Sequence, residues 1–268
     1  MTVAALYLGA IWATVKRDAA IFVSYRFRFV TQILGMLLSL TTFYYIAKLV
    51  RPGAVGTRAH YYAFVVVGIV IVAVLTAALA TSQNVRLELM QGNFDRMLIS
   101  PLGPVGGVVS LAVFPIAYAS VFASSMLMLA VVIFAIPLHV AGIPLALAVG
   151  ALGALAFAGI GLLFVAALLA FKSAMGTAWV IAGLTLLGGA YFPVKLFPGW
   201  IQWASEVQPF TPSVDLLRHL LVGTPSLQPV SLELLKLAGF TVVLLPTSLG
   251  LVWLAVQLSR RRGTIMEY

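Results

Sequence analysis

Six long stretches of the chain contain no Asp, Glu, Lys, Arg or His. A bilayer core about 30 Å thick needs roughly 20 apolar residues per helical span, and each stretch is about that long or longer. The pattern therefore predicts an all-α polytopic membrane protein with six transmembrane helices and both termini on one side. The predicted spans are residues 29–47, 61–85, 102–136, 140–171, 173–194 and 237–259.

The composition supports the same fold class. The 268 residues are 62% hydrophobic and 9% charged, whereas soluble domains carry about 25% charged residues, and this excludes a soluble enzyme. The net charge is +9, but the basic residues flank the apolar stretches and are more numerous on the side of the termini, as the positive-inside rule expects. We therefore expect cytoplasmic termini, contact with membrane lipid and no nucleic-acid partner. The absence of cysteine excludes disulfides and thiolate metal sites.

The residues before the first span have the spacing of an amphipathic helix. Apolar side chains recur every three or four positions from Ala5 to Phe22, while Lys16 and Arg17 lie in a polar sector. This predicts a helix in the cytoplasmic membrane interface, with Trp12 at headgroup depth and Lys16 and Arg17 as anchors. Because the basic residues follow the apolar run, we expect no cleaved signal peptide.

Small residues are frequent in the fourth and fifth predicted spans. Gly153, Gly159 and Gly161 are examples in the fourth. Small side chains let helix backbones approach closely within lipid. They therefore favour either close packing within the chain or a dimer interface.

The predicted spans lack the ionisable side chains with which ion-coupled transporters bind or relay an ion. The sequence also has no G-x-x-x-x-G-K-[ST] phosphate-binding loop, no H-E-x-x-H zinc motif and no G-x-S-x-G nucleophile elbow. His60, His139 and His219 are too far apart in sequence to suggest a metal cluster. We therefore expect no catalysis, cofactor or metal in this chain, and any energy for transport has to come from a partner.

The connection after the second span, residues 86–101, has the signals of a short helix. Gly92 can end the preceding helix, Asn93 can cap a new one, and Asp95 lies in its first turn. Phe94 would share an exposed apolar face with Met97 and Leu98. Such a helix fits a docking element for a soluble partner, and a plain amphipathic turn at the lipid surface fits equally well.

A second segment of interest follows the fifth span. Gly188, Gly189 and Pro193 are expected to end that span early, and Trp200 and Trp203 indicate a turn at the membrane interface. This excursion of about 40 residues suggests a lid or re-entrant hairpin above a pathway. A loop that only anchors at the headgroups is the alternative.

A short helix is predicted at the end of this second segment. Ser213 can cap it, and Asp215 and Arg218 stand three residues apart, a spacing at which helical side chains form ion pairs. The sequence therefore predicts short extracellular re-entrant helices between spans five and six.

These two segments resemble the permease subunit of type-2 ATP-binding-cassette (ABC-2) exporters. That family has a Glu-containing, Gly-Thr-bearing cytoplasmic stretch that ends in Ser-Pro after span two, and Gly-x-x-Phe-Pro, Pro-x-Trp and Leu-Arg elements around span five. Asn93 stands where threonine is usual. The resemblance covers nearly the whole chain, so we treat residues 1–268 as a single ABC-2 type transmembrane domain. The matching residues are Glu88, Gly92, Asp95, Ser100, Pro101, Gly189, Phe192, Pro193, Pro198, Trp200, Pro209, Pro212 and Arg218.

The resemblance implies an ATP-driven exporter with two permease copies, identical or different, and two separate ATPase subunits that bind ATP and Mg. The segment after span two would be a coupling helix pressed by the ATPase, and the pathway would lie between the permeases near spans one, two and five. The residues expected at the ATPase contact are Glu88, Gly92, Asn93, Asp95 and Arg96. The residues expected at the outer gate and pathway are Phe43, Gly188, Gly189, Tyr191, Phe192, Pro193 and Trp200.

The substrate implied by the resemblance is an amphipathic drug, a lipid or a lipid-linked glycan, moved outward across the plasma membrane of a prokaryote. The Phe-Pro and Pro-x-Trp elements favour a drug or lipid over a polysaccharide. Phe43, with Tyr44 and Tyr45, could line the pathway or form an outer aromatic belt. A membrane scaffold that transports nothing remains an alternative from another class, and it predicts no ATPase partner.

Overall fold

The computed structural model describes residues 3–49, 57–94, 102–172 and 176–261. These ranges contain nine α-helices and no strand, which confirms the all-α fold class. Two 3-10 turns, Val140–Gly142 and Val194–Leu196, lie before the fifth helix and between the sixth and seventh. The helices are α1 Val3–Ser24, α2 Arg26–Leu49, α3 Arg58–Met90, α4 Gly103–Phe134, α5 Ile143–Phe171, α6 Thr177–Leu187, α7 Gly199–Glu206, α8 Phe210–Val222 and α9 Val230–Arg261.

Five helices are long and apolar enough to cross a membrane: α2, α3, α4, α5 and α9. They correspond to the predicted spans one to four and six. The predicted fifth span, residues 173–194, is represented by α6, which has only 11 residues. Such a helix is about 16 Å long, roughly half of the hydrocarbon core. The helix ends before Gly188, as the glycine pair predicted, and it is shorter than the apolar stretch. The total of six spans stays a prediction.

The core of the bundle lies around α3 and α5. In each of these two helices, 61% of the residues in an apolar 18-residue segment are buried, whereas the corresponding share in α2 is 11%. Gly161 of α5 is needed for this packing, because a Cβ there would lie 2.1 Å from the carbonyl oxygen of Ala78 on α3. A Cβ at Gly159 would lie 2.8 Å from the Cβ of Leu244 on α9. These small residues serve packing within the chain, one of the two roles that the sequence left open.

The amphipathic start of the chain forms α1, as predicted, and α1 packs against α4. Its Trp12 is 67% exposed, and Lys16 is also exposed. Phe22, near the end of α1, is buried and its ring packs against those of Phe29 and Phe114. The interfacial position of Trp12 and Lys16 stays a prediction, since it depends on the lipid.

The segment between α6 and α9 forms two short helices, as predicted. The first, α7, exposes Trp200, whereas α8 is buried along almost its whole length and packs against α3, α5 and α9. The predicted cap at Ser213 was wrong: α8 begins at Phe210, and the Ser213 hydroxyl donates to the Pro209 carbonyl. The helix can begin earlier because Pro212 lies in its first turn, where a missing N–H leaves no helical bond unmade.

Candidate functional site

The chain leaves α3 through a left-handed turn at Gly92, as the sequence predicted. Gly92 has φ +68°, and its N–H donates to the carbonyl of Leu89 at 3.1 Å. The N–H of Asn93 donates to the carbonyl of Glu88 at 3.0 Å. A glycine in the left-handed region with these backward bonds is a common way to satisfy the last carbonyls of a helix. Gly92 is therefore confirmed as the residue that ends α3.

The chain beyond Gly92 is anchored in the bundle. The Asn93 side chain donates to Gln91 at 3.2 Å, and whether it also caps a helix stays a prediction, because Asp95 and Arg96 lie outside the described residues. Phe94 is only 2% exposed and belongs to a cluster of buried apolar residues that also includes members from α3, α4, α5 and α9. The expectation that Phe94 belongs to an exposed docking face was wrong. Its ring is large enough to fill a gap between the helix ends, and burial of the ring favours that position.

Glu88 joins α3 to α1. Its Oε1 accepts a bond from Nη2 of Arg17 at 3.3 Å, and Arg17 also pairs with Asp18 at 2.9 Å. Because the Arg17 side chain is 47% exposed, solvent screening limits such a pair to about 1 kcal/mol or less. The pair therefore links α1 to α3 but contributes little to stability. Arg17, expected as a lipid anchor, is engaged within the protein.

A cavity of about 950 Å³ lies beside this ion pair, between α1, α2, α3 and α4. We call it the aromatic cavity, because Phe114, Tyr118 and Phe122 of α4 line it together with Phe22 of α1. The Tyr118 hydroxyl donates to the side-chain oxygen of Gln32, which connects α4 to α2. The cavity thus connects the charged end of α3 with an apolar interior.

The second predicted site is the broken end of α6, which we define as Gly188, Gly189 and Ala190. Arg218 of α8 donates to the carbonyls of Gly189 at 2.8 Å and Ala190 at 2.6 Å. It also donates to the carbonyl of Phe64 on α3 at 2.9 Å, and its guanidinium lies 3.3 Å from the centre of the Phe64 ring. The planar guanidinium presents several donors in a fixed geometry. Arg218 therefore holds the break against α3.

Charge and burial act against one another at Arg218 and Asp215. Burial lowers the pKa of the Arg218 guanidinium, and the carboxylate of Asp215 opposes that shift. Burial likewise raises the pKa of Asp215, opposed first by a hydrogen bond from the backbone N–H of Leu227, at 2.7 Å, and then by the charge of Arg218. The spacing of Asp215 and Arg218 does not lead to a direct ion pair: Asp215 bonds the loop before α9, while Arg218 bonds backbone carbonyls.

Close approach at the α6 break depends on a glycine in α3. A Cβ at Gly68 would lie 2.0 Å from the Ala190 oxygen and 2.8 Å from Nη2 of Arg218. Any larger residue would force the break and the guanidinium away from α3. Gly68 could not be predicted from the sequence, because a single glycine in an apolar span has no distinguishing pattern.

The predicted gate residues lie in different environments. Gly188 and Gly189 are buried at the break, and Gly189 has φ +77°. The ring of Tyr191 stacks on that of Phe43 from α2, with centroids 5.8 Å apart. Phe192 is 49% exposed, Pro193 is partly buried, and Trp200 is 76% exposed. The structure thus brings Phe43 and Tyr191 together beside the break, while Trp200 lies on the surface of α7.

The family model for the ABC-2 type transporter matches residues 7–222, from α1 to the end of α8. The chain belongs to this family. No curated protein sequence matches the chain significantly. A membrane domain of this kind is the transport component of an ABC-2 transporter, and in general it works with a partner ATPase subunit. With its long apolar helices, this ABC-2 permease is a multi-pass membrane protein.

Two features of this ABC-2 permease were not found from its sequence. One is the set of partners of Arg218, which lie far away along the chain and are backbone atoms. The other is the aromatic side of α4, although Phe114, Tyr118 and Phe122 recur every four residues and their rings are stacked in sequence. That spacing is a signal for a shared helix face, and it could have predicted a lined cavity.

Proposed function

We propose that this ABC-2 permease moves an amphipathic drug, lipid or lipid-linked glycan outward across the plasma membrane. A separate ATPase subunit, which binds ATP and Mg, supplies the energy. The observation that supports this proposal best is that one helix, α3, connects both candidate sites. Its last turns carry Glu88 and the break at Gly92, and its first turns carry Phe64 and Gly68 at the α6 break.

The connection along α3 is mechanically direct. Phe64 and Glu88 are 24 positions apart in one helix, which corresponds to about 36 Å along its axis. A packed helix moves as a rigid element, and a shift or rotation imposed at one end is therefore felt at the other. Pressure from an ATPase near Gly92 would thus reach the carbonyl and ring that Arg218 holds. We propose that this movement opens and closes the pathway at the α6 break.

A second permease copy completes the proposed pathway. The side of α2 that carries Val30, Leu34 and Leu38 is exposed, and α6 exposes Trp179 at 83%. These helices border the stacked pair Phe43 and Tyr191. Two copies that face one another through α2 and α6 would enclose a pathway lined partly by those aromatic rings. Two ATPase subunits, one for each permease, follow from this arrangement.

The test is to purify the tagged chain from its native membrane in mild detergent and to quantify the co-purifying proteins by mass spectrometry. An ATPase with a phosphate-binding loop, at about one copy per permease, supports the proposal. Recovery of no ATPase, also after mild crosslinking in the membrane, contradicts it and favours a scaffold. The complex is then reconstituted in liposomes, where ATP-dependent movement of an amphipathic compound supports a drug or lipid exporter. Movement of a lipid-linked glycan alone also supports the proposal and narrows the substrate class, whereas movement of a polysaccharide favours the polysaccharide exporter.

A further inference from the structure

The aromatic cavity offers a ligand two kinds of surface. Most of its lining is apolar or aromatic and comes from α1, α3 and α4. Its polar lining includes Glu88 and Asp18 at one end and Gln32, Asn84 and the Tyr118 hydroxyl elsewhere. A volume of about 950 Å³ is at the upper end of the range for drug-sized sites, roughly 300–1,000 Å³. The cavity therefore has the size and polarity to hold an amphipathic molecule.

The charged end of the cavity favours a cation. Among the described lining side chains, Asp18 and Glu88 are acidic and Arg17 is basic, so acidic groups are in excess. Arg17 contacts only one oxygen of the Glu88 carboxylate. The other oxygen, Oε2, is buried and has no hydrogen-bond partner in the described part of the chain. A buried acceptor without a donor is costly. Rotation about the soft terminal torsion of Glu88 would turn it toward a donor in the cavity.

The walls of the cavity also favour a cation over an anion. Phe114, Tyr118 and Phe122 form a continuous series of stacked rings on α4, and aromatic faces attract positive charge. Pro115 lies inside α4 and lines the cavity with Leu111. Because proline has no N–H, it cannot bond the carbonyl of the residue four positions earlier, which is Leu111. That carbonyl therefore lacks its usual helical donor.

We propose that the aromatic cavity binds an amphipathic cation, with its charged group near Glu88 and Asp18 and its apolar body against the rings of α4. The site lies within one permease, between α1, α2, α3 and α4, and not between two copies. This inference rests on the proposed function, because it names the substrate class of the exporter. It assigns Phe122 and Glu88 as ligand contacts.

The test uses a pair of hydrophobic ions that match in shape and differ in charge, tetraphenylphosphonium and tetraphenylborate. The full chain is reconstituted in phosphatidylcholine nanodiscs, and saturable binding of each radiolabelled ion is measured after subtraction of empty nanodiscs. We expect saturable binding of tetraphenylphosphonium only. Glu88→Gln should weaken that binding about tenfold and Phe122→Ala severalfold. The matched control is Glu206→Gln, since Glu206 is exposed on α7 and does not line the cavity, and it should bind like the unmodified chain.

Three results would overturn the inference: no saturable binding of the cation, equal binding of the anion, or unchanged binding in both Glu88→Gln and Phe122→Ala. Size-exclusion profiles and melting temperatures of the variants show whether they are folded. Arg17→Gln provides a second charge test that leaves both acids in place, and it should strengthen cation binding. Weaker cation binding in that variant would also contradict the charge argument.

Failure of the site and failure of the proposed function give different results. The nanodisc measurement requires no ATPase. If the cation binds but no ATPase co-purifies, the proposed binding site is supported and the proposed exporter function is contradicted. If an ATPase co-purifies but the cation does not bind, the proposed exporter function is supported and the proposed binding site is contradicted.

Discussion

At the scale of single residues, Arg218 has the most demanding environment in the described structure. It is 4% exposed, and its guanidinium donates to three backbone carbonyls on two separate parts of the chain. A buried charge is tolerated only when its hydrogen bonds are satisfied. The carbonyls of Gly189 and Ala190 depend on Arg218 in the same way, because the α6 break leaves them outside regular helix, whereas the Phe64 carbonyl lies within α3.

Arg218→Lys is expected to destabilise the protein although it keeps the charge. An ammonium group cannot reproduce the planar set of donors, so at least one buried carbonyl would lose its bond, at a cost of roughly 2–3 kcal/mol. The measurement is the melting temperature of the purified chain in detergent. Arg58→Lys, at the exposed start of α3, is the matched control and should change little. Equal melting temperatures for the two variants would contradict the role assigned to Arg218.

Gly68→Ala is expected to be destabilising for a steric reason. A Cβ 2.0 Å from the Ala190 oxygen forces α3 and the α6 break apart, and overpacking of this kind costs about 1–3 kcal/mol. Gly150→Ala on α5 is the control, because a Cβ there meets nothing within 4 Å and alanine favours the helix by about 1 kcal/mol or less. The melting temperature should fall for the first variant and stay level or rise for the second. The opposite order would show that the approach at Gly68 is not tight.

At the scale of elements, the sequence predicted most helices and few of their contacts. The spans were predictable because charged residues are absent over whole helices, and the end of α3 was predictable because only glycine adopts φ +68° readily at Gly92. The start of α8 was missed because Ser213 is a strong cap signal in isolation, while Pro212 in the first turn is a weaker one. The Arg218 contacts were missed because its spacing to Asp215 favours a local pair, whereas its partners lie on α3 and at the break.

The ion pair between α1 and α3 gives a prediction at this scale. Arg17→Glu and Glu88→Arg should each lower transport per ATP hydrolysed in the reconstituted complex, because like charges would separate the two helices. The double exchange should recover a large part of the coupling, while thermal stability changes by about 1 kcal/mol or less throughout. The ratio of transport to ATP hydrolysis is the quantity to measure. If the double exchange couples no better than either single change, the pair does not transmit motion.

Gly92→Ala is a related prediction for the end of α3. An alanine at φ +68° is strained by about 1 kcal/mol or more, so the turn that leads to the predicted coupling segment should change its path. We expect lower coupling of transport to ATP hydrolysis with the helices still folded. Gly183→Ala, on α6 where a Cβ meets nothing within 4 Å and φ is ordinary, serves as the control. Unchanged coupling in Gly92→Ala would contradict the assignment of Gly92 to the ATPase contact.

At the scale of the whole molecule, burial divides the helices into two groups. Helices α3 and α5 are packed on most sides, while α2 is the least buried of the long helices. The family match shows a transport component, and the pathway proposed for an amphipathic substrate has to be enclosed by something other than lipid. A second copy that covers α2 would supply that enclosure, because transmembrane helices associate through close packing of complementary surfaces.

This arrangement predicts where two copies approach one another, and the absence of cysteine from the sequence makes the test direct. Leu38→Cys on α2 and Val242→Cys on α9 introduce single thiols at positions that are 70% and 71% exposed. Oxidation in the native membrane should join two copies through Cys at position 38 and give little product at position 242, because in the proposed arrangement α2 faces the partner and α9 faces lipid. Since both thiols are equally exposed, a difference in yield reports proximity between copies and not accessibility. Equal yields, or a higher yield at position 242, would show that the copies do not meet through α2, and the proposed pathway between them would have to be abandoned.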